Sequence, residues 1–538
     1  MPNIIKEKGV IMAKKKKEQG ESSVNENEDS RQDKLILELL DELPIIRTEN
    51  YIEVQLKRTN RTSMVSIDSN EVVEYIVYEI KNRYGFWAKS SIIKNCIMYK
   101  KNYGYDLDIT ELKHRIAYCD YSIVYDLMDG NCVVVNRNGW EVKENNYLFF
   151  RRSDSAIPQV KPIRCTNGWE RLKKYINLPE DDKILFIAYM IACFNPNYTF
   201  PSACINGASG SGKSTLTKIL KKVIDPVSGE GVNVLTNNFD DLKVLLGSNY
   251  YVAFDNLSRI SNAMSNFFCT VVTGGTFVSR TKFENDKPFT ITLKQGLCLN
   301  GIGNFAINDD FVDRALFFKT KPFAKTTDRS EDKLWTKFDK ELPYIMGGIF
   351  EILSKALVIY PTVKIENPMR LADFHSFGYA VAEAMGGYGK TFNECIARNK
   401  EIQMEVVDEN FEIVRILIDF LKENDGEWSS TVDMLYKSVR DFVILADEGK
   451  YDEKAIPKAS NAFSRMLSLH EAHLAKRGYR YDIKKNGVGR HVITFYTDMI
   501  IRKPITGIRE PIILTDGTRE LTSQLIDSLI ADIEESEE

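Results

Sequence analysis

The run Ile205-Asn206-Gly207-Ala208-Ser209-Gly210-Ser211-Gly212-Lys213-Ser214-Thr215 holds the spacing G-x-x-x-x-G-K-[ST] of a phosphate-binding loop, or P-loop. These residue types suit one task, the cradling of a triphosphate. The glycines let the backbone curl with its N–H groups turned inward on phosphate oxygens. Lys213 can reach the β- and γ-phosphates, and the Ser214 hydroxyl can hold Mg²⁺. Residues Gly207 to Thr215 are therefore expected to bind ATP, with Lys213 also acting on the transferred group. A Gly/Ser-rich turn can match this spacing by chance, so the flanks matter. Ser202 to Ile205 reads as a short buried strand. Thr215 to Val223 reads as a helix whose N-terminus would face the phosphates.

Further polar residues stand at the ends of apolar runs. Tyr250-Tyr251-Val252-Ala253-Phe254-Asp255 reads as a buried strand ending in an acid, and Asp255 is expected to hold Mg²⁺ through water together with Ser214. The next residue is Asn256, where many P-loop hydrolases place a glutamate. An amide can orient water but cannot take its proton, so either Glu284 or Asp309 substitutes or turnover is slow. Gly296-Leu297-Cys298-Leu299-Asn300 is a second such strand. Asn300 either senses the γ-phosphate and the attacking water or simply opens a turn before Gly301.

Between these strands, residues 276–283 and 289–293 alternate around a polar turn and predict a β-hairpin. Arg280, Lys282 and Lys287 on or near it would grip single-strand phosphates inside a ring, or would simply be solvated. Arg314 opens the next apolar strand. It either reaches a neighbouring subunit's nucleotide or pairs internally with Asp310 or Asp313. Near the C-terminus, Lys476, Arg477, Arg480, Lys484, Lys485 and Arg490 cluster with Tyr479 and Tyr481, with Asp482 the only acid among them. Such a patch, Lys484, Lys485 and Arg490 above all, would touch DNA phosphates in a salt-sensitive, sequence-neutral way, or be a solvated hairpin.

The elements needed to position these residues follow from periodicity. Residues 166–325 alternate strands and helices, which predicts an α/β core with a parallel sheet. Its expected parts include two leading helices over 167–194, a strand over 231–235 and a helix over 238–246. Residues 35–165 read as a mixed α+β domain, with a helix over 70–84 and strands near 121–127, 132–135, 139–142 and 147–150. Residues 326–405 read as a helical lid. Residues 406–505 read as helices followed by a basic β-hairpin, the pattern of a winged helix. Residues 1–34 and the acidic end, 506–538, are expected to lack structure.

Composition narrows the setting. With 72 basic and 76 acidic side chains the net charge is −4, so any nucleic-acid surface has to be local. The nine cysteines show no metal-ligand spacing, which fits small apolar residues in a reducing cytoplasm. The longest apolar run, Ile184 to Phe194, is too short to span a bilayer, so no membrane partner is expected.

The order of these motifs resembles that of AAA+ ATPases with a hairpin before the sensor strand, above all the superfamily 3 helicases. Phe254-Asp255-Asn256-Leu257-Ser258, Thr273-Gly274-Gly275-Thr276-Phe277-Val278-Ser279-Arg280, Leu299-Asn300-Gly301-Ile302, Asp313-Arg314-Ala315 and Arg370-Leu371-Ala372-Asp373-Phe374 look like primase-helicase-type ATPases of phages and integrated mobile elements. The resemblance implies roles residue by residue. Gly207, Gly212, Lys213, Ser214 and Thr215 would bind nucleotide, and Asp255 would be the metal-site acid. Asn300 would be the sensor, Arg314 an arginine finger and Arg370 a lid residue. It also implies a ring, expected to be a hexamer, that unwinds or translocates DNA alongside replication proteins of a phage or mobile element. The Asp255-Asn256 pair departs from the usual two acids and keeps a second reading open, an ATP-binding switch or scaffold. A small-molecule P-loop kinase would need neither the hairpin nor the winged helix. No priming signature is present.

Overall fold

The strands that carry the motif residues lie side by side in one parallel sheet. The computed structural model describes residues 28–58, 61–147, 150–280, 288–302, 305, 309–323, 330–410, 412–447, 450–452, 455–485 and 491–497. The sheet runs Ala315–Lys319, Ser202–Asn206, Gly296–Gly301, Tyr251–Leu257. Its strands read as near-continuous apolar runs because both faces are covered. Ala203, Cys204, Ile205, Val252, Ala253, Phe254 and Leu297 are all fully buried. The Asn300 strand therefore sits between the P-loop strand and the Asp255 strand. Parallel neighbours need crossovers, and the helices Lys213–Ile224, Phe239–Gly247 and Asn262–Thr273 lie along the chain between them. Residues 231–235, expected as a strand, add a single bridge from Asn233 to Phe254. Gly229 and Gly231, both at positive φ, keep the chain turning there.

The expected hairpin is present as Gly275–Arg280 paired antiparallel with Pro288–Leu293, in register from Gly275↔Leu293 to Arg280↔Pro288. Behind the sheet stand the helices Glu180–Ala192, Glu331–Ile359, Ala372–Ala384 and Gly389–Asn410. The segment Glu331–Thr362 is long and apolar enough to cross a membrane, but 61% of its most apolar stretch is buried against the rest of the chain. It crosses the helix Gly168–Lys173 at close range. A Cβ on Gly168 would lie 2.8 Å from Gly348 Cα, so this crossing admits only glycine.

The chain divides into two units, Met1–Asn410 and Phe411–Glu538. Within the first, residues 28–104 have their own core. The antiparallel strands Ile45–Arg47, Ile52–Arg58 and Arg61–Ser66 pack with the helices Glu28–Glu42, Asn70–Tyr84 and Ser90–Gly104. The first helix begins inside the stretch expected to lack structure, because Ile36, Leu39 and Leu40 form a buried stripe on an otherwise charged helix. A second antiparallel sheet follows, Ile116–Cys119, Ser122–Asp126, Asn131–Asn136 and Gly139–Glu144. Its inner residues Tyr125, Val133 and Val135 belong to the same core as the central sheet, and Tyr125 stacks on Phe194 at 5.4 Å. The side-chain amide of Asn50 donates to Thr290 O at 2.8 Å, joining the first sheet region to the returning strand of the hairpin.

In the second unit, the helices Glu412–Glu423, Val432–Leu445, Ser460–Leu469 and Glu471–Lys476 enclose a core with a three-stranded antiparallel sheet. The sheet order is Trp428–Thr431, His491–Thr497, Tyr479–Lys485. The 506–538 tail lies outside the described residues.

Candidate active site

The P-loop leaves the strand Ser202–Asn206 and enters the helix Lys213–Ile224 through two special glycines. Gly207 has φ 150°, and a Cβ there would meet Thr320 Oγ1 at 2.1 Å. Gly212 precedes the helix at φ 84°, the left-handed region that a side chain rarely adopts. The loop is braced from outside. Ser211 Oγ donates to Ala208 O at 2.7 Å and lies 2.6 Å from Thr320 Oγ1. Asn177 Nδ2 donates to Ser211 O at 3.0 Å and to Lys321 O at 2.6 Å. Lys213 is buried and its ammonium donates to Gly207 O at 2.9 Å and Ala208 O at 2.8 Å.

The other motif residues converge on the same end of the sheet, outside the carboxyl ends of the strands. Ser214 Oγ donates to Asp255 Oδ1 at 3.2 Å. The Asn256 backbone N–H donates to Asp255 Oδ1 at 2.7 Å and to Asn300 Oδ1 at 3.3 Å. Asn256 is held at φ 59°, a conformation asparagine tolerates better than most residues. Buried Asn300 donates through Nδ2 to Thr217 Oγ1 at 2.8 Å, and Thr217 Oγ1 donates to Lys213 O at 3.0 Å. One hydrogen-bonded chain thus links Lys213, Thr217, Asn300 and Asp255.

Arg314 lies one strand away. It forms an ion pair with the Asp310 carboxylate and donates to Asp310 O at 2.7 Å, with its side chain 12% exposed. Arg370 shares the same carboxylate at 2.9 Å and is 45% exposed. Burial pushes the Asp310 carboxyl up, but Arg314 and then Arg370 outweigh it and hold the pKa below its usual value. The internal partner weighed for Arg314 is therefore the one seen. Asp309 opens the short helix Asp309–Val312, and Glu284 lies outside the described residues.

Below the site a buried carboxylate fixes the helix to the sheet. Asp225 sits at the end of the P-loop helix, pairs with Lys221 at 2.9 Å and Arg115 at 3.2 Å, and accepts from the Tyr250 and Tyr251 N–H groups at 3.0 and 3.2 Å. Burial alone would raise its pKa, but Lys221 and Arg115 hold it down to about 2.

Arg280 ends the first hairpin strand, while Lys282 and Lys287 lie outside the described residues. Lys484 and Lys485 are exposed at the end of the strand Tyr479–Lys485, and Arg490 lies outside the described residues. Sequence reasoning missed Thr217, Thr320, Asn177 and Asp225. Only Thr217 had a usable signal, its place one helical turn after Lys213 on the buried face.

Residues 170–391 match the family model described as the actinomycete integrative conjugative element replication protein. That segment contains the P-loop, Asp255, Asn300, Arg314 and Arg370, and the match supports a replication protein of a mobile element. No curated protein matches the chain. Among solved structures, the apo A form of the NrS-1 C-terminal region is similar at 12% identity with a TM-score of 0.42, covering 86% of this chain and 99% of that one. A second apo structure of that region has 12% identity and a TM-score of 0.40, covering 87% and 99%.

Proposed function

We propose that this chain is an AAA+ ATPase of superfamily 3 type that moves along or unwinds DNA during replication of a mobile element. The observation that carries the reading is the convergence of Lys213, Ser214, Asp255 and Asn300 at the carboxyl end of the parallel sheet. The P-loop amides and Lys213 would take the triphosphate, with Lys213 exchanging the Gly207 and Ala208 carbonyls for phosphate oxygens. Ser214 and Asp255 are oxygen donors suited to Mg²⁺, which is held by one or two protein oxygens plus water and phosphate. Bound there, Mg²⁺ would neutralise charge on the phosphates. Asn300 and the Asn256 backbone would position water.

Self-assembly into a ring, a hexamer by the family resemblance, would bring an arginine of one copy to the nucleotide of the next. Arg314, or the more exposed Arg370, would leave Asp310 for that anion. The 275–293 hairpin and the basic strand ending Lys484-Lys485 would touch DNA phosphates, the latter on a winged-helix unit.

The direct test is ATP turnover with and without single-stranded DNA, and strand displacement on a forked duplex, with Lys213→Ala as control. DNA-stimulated turnover and displacement by wild type alone are expected. Turnover indifferent to DNA with no displacement would remove the helicase reading. One observation favours a second reading, an ATP-binding switch: position 256 offers an amide where a base is usual. A switch would bind ATP and stall after at most one turnover.

A further inference from the structure

A cavity of about 550 Å³ lies away from the P-loop, and none of residues 207–215 lines it. Its walls come from residues 48–51 of the first sheet region, the connecting segment 109–114, residues 198–200, and residues 290–292 of the returning hairpin strand. That volume falls within the range of sites for small ligands, roughly 300–1,000 Å³.

The lining is chemically specific. Lys294 and Lys113 both face the cavity. Lys113 pairs with Glu111, whereas Lys294 has no ion pair among the described residues. Lys294 is exposed at the cavity wall; partial desolvation and then the like charge of Lys113 lower its pKa, against the opposing pull of Glu111 and Asp373. Next to it, Gln295 Oε1 is buried with no hydrogen-bond partner among the described residues. Gln295 also lines the cavity, and a turn of its amide would bring that unpartnered oxygen to a donor there. Phe200 and Tyr250 supply an aromatic wall, their ring centroids 6.3 Å apart.

A lysine outside any ion pair among the described residues, an amide oxygen without a donor and aromatic side chains together match a phosphate, a base edge and a base plane. We infer that this cavity binds a nucleotide unit, with Lys294 on its phosphate and Gln295 on its base. Two sources share that chemistry, a free mononucleotide and the 5′ end of a DNA strand. Because Thr290–Thr292 form one wall, an occupant would touch the root of the hairpin in either case.

The test uses the full chain carrying Lys213→Ala, so that the P-loop does not compete. Two probes, dTMP and 5′-phosphorylated (dT)₈, are titrated by calorimetry. One site per chain is expected for at least one probe. Adding Lys294→Gln should weaken it about tenfold or more, the scale of one charge-assisted hydrogen bond. Lys294→Arg should restore most of the affinity, and Thr292→Glu, at an exposed wall position, should also weaken it by charge repulsion. The melting temperature of each variant serves as the fold control. Binding of dTMP assigns a free nucleotide, and binding of the oligonucleotide alone assigns a strand end. Binding of neither probe, or binding indifferent to both Lys294→Gln and Thr292→Glu, overturns the inference. The P-loop reading does not depend on this result.

Discussion

The Asn300 amide reaches Thr217, not open solvent: its Nδ2 donates to the fully buried Thr217 Oγ1 at 2.8 Å while its Oδ1 accepts from the Asn256 N–H at 3.3 Å. Both ends of the amide are therefore in use, one on the P-loop helix and one on the end of the Asp255 strand. Any movement of that helix relative to the strand has to change this bridge.

Replacing Thr217 by valine keeps the volume but removes the oxygen. Asn300 Nδ2 would then be buried with no acceptor, which costs about 1–3 kcal/mol. Urea unfolding of Thr217→Val should show that loss, and ATP turnover should fall with it. Thr217→Ser should restore both. Unchanged stability in Thr217→Val would mean the bridge is not formed in solution.

An arginine acting across a subunit boundary can be detected by mixing. Lys213→Ala disables a copy's own site, and Arg314→Ala disables what it lends to its neighbour. Each alone should be inactive. In a head-to-tail ring, a 1:1 mixture should recover about a quarter of wild-type turnover, because one boundary in four pairs an intact P-loop with an intact arginine. Running Arg370→Ala beside it identifies which arginine on Asp310 does the lending. No recovery with either arginine variant would keep Arg314 and Arg370 as internal partners of Asp310.

Acid should weaken the fold through Asp225. Its carboxyl is held at about 2 in the folded chain, below the value near 3.9 of an unfolded chain. The stabilisation is therefore present above the unfolded value and is lost as pH falls through the folded one. Unfolding free energy should be flat from about pH 8 to 5 and drop by about 2–3 kcal/mol between pH 4 and 2. Asp225→Asn should start lower, since Lys221 and Arg115 lose their counter-charge, and should show a shallower acid limb. An acid limb as steep as that of wild type would assign it to other carboxylates.

The strands of the central sheet were readable because burial on both faces makes them short, apolar and closed by polar residues. Ser202–Asn206 and Gly296–Gly301 differ from expectation by a residue, as do the first residues of both hairpin strands, while 281–283, expected in the first of them, lie outside the described residues. The 231–235 strand was over-read, because the stretch that follows the positive-φ Gly229 and Gly231 makes one bridge and no ladder. The helix Gly389–Asn410 had no clear periodic stripe in its polar sequence, yet Asn399 on it bonds Phe317 N–H at 2.8 Å at the edge of the sheet. At the site, Lys213, Ser214 and Asp255 were legible because their chemistry fixes their spacing. Thr217 and Asn177 were not, because a threonine inside a helix and an asparagine in a connecting segment have no distinctive spacing. Their partners are set only when strands distant in sequence become neighbours.

The hydrogen bond from Asn50 to Thr290 O spans 240 positions of the chain. It fastens the returning strand of the hairpin to a part of the molecule that holds none of the residues of the 207–215 loop site. The hairpin is thus not a free oar pivoting on the sheet. A displacement of its returning strand has to be shared with residues near 50, so a molecule gripping that region would also hold the hairpin.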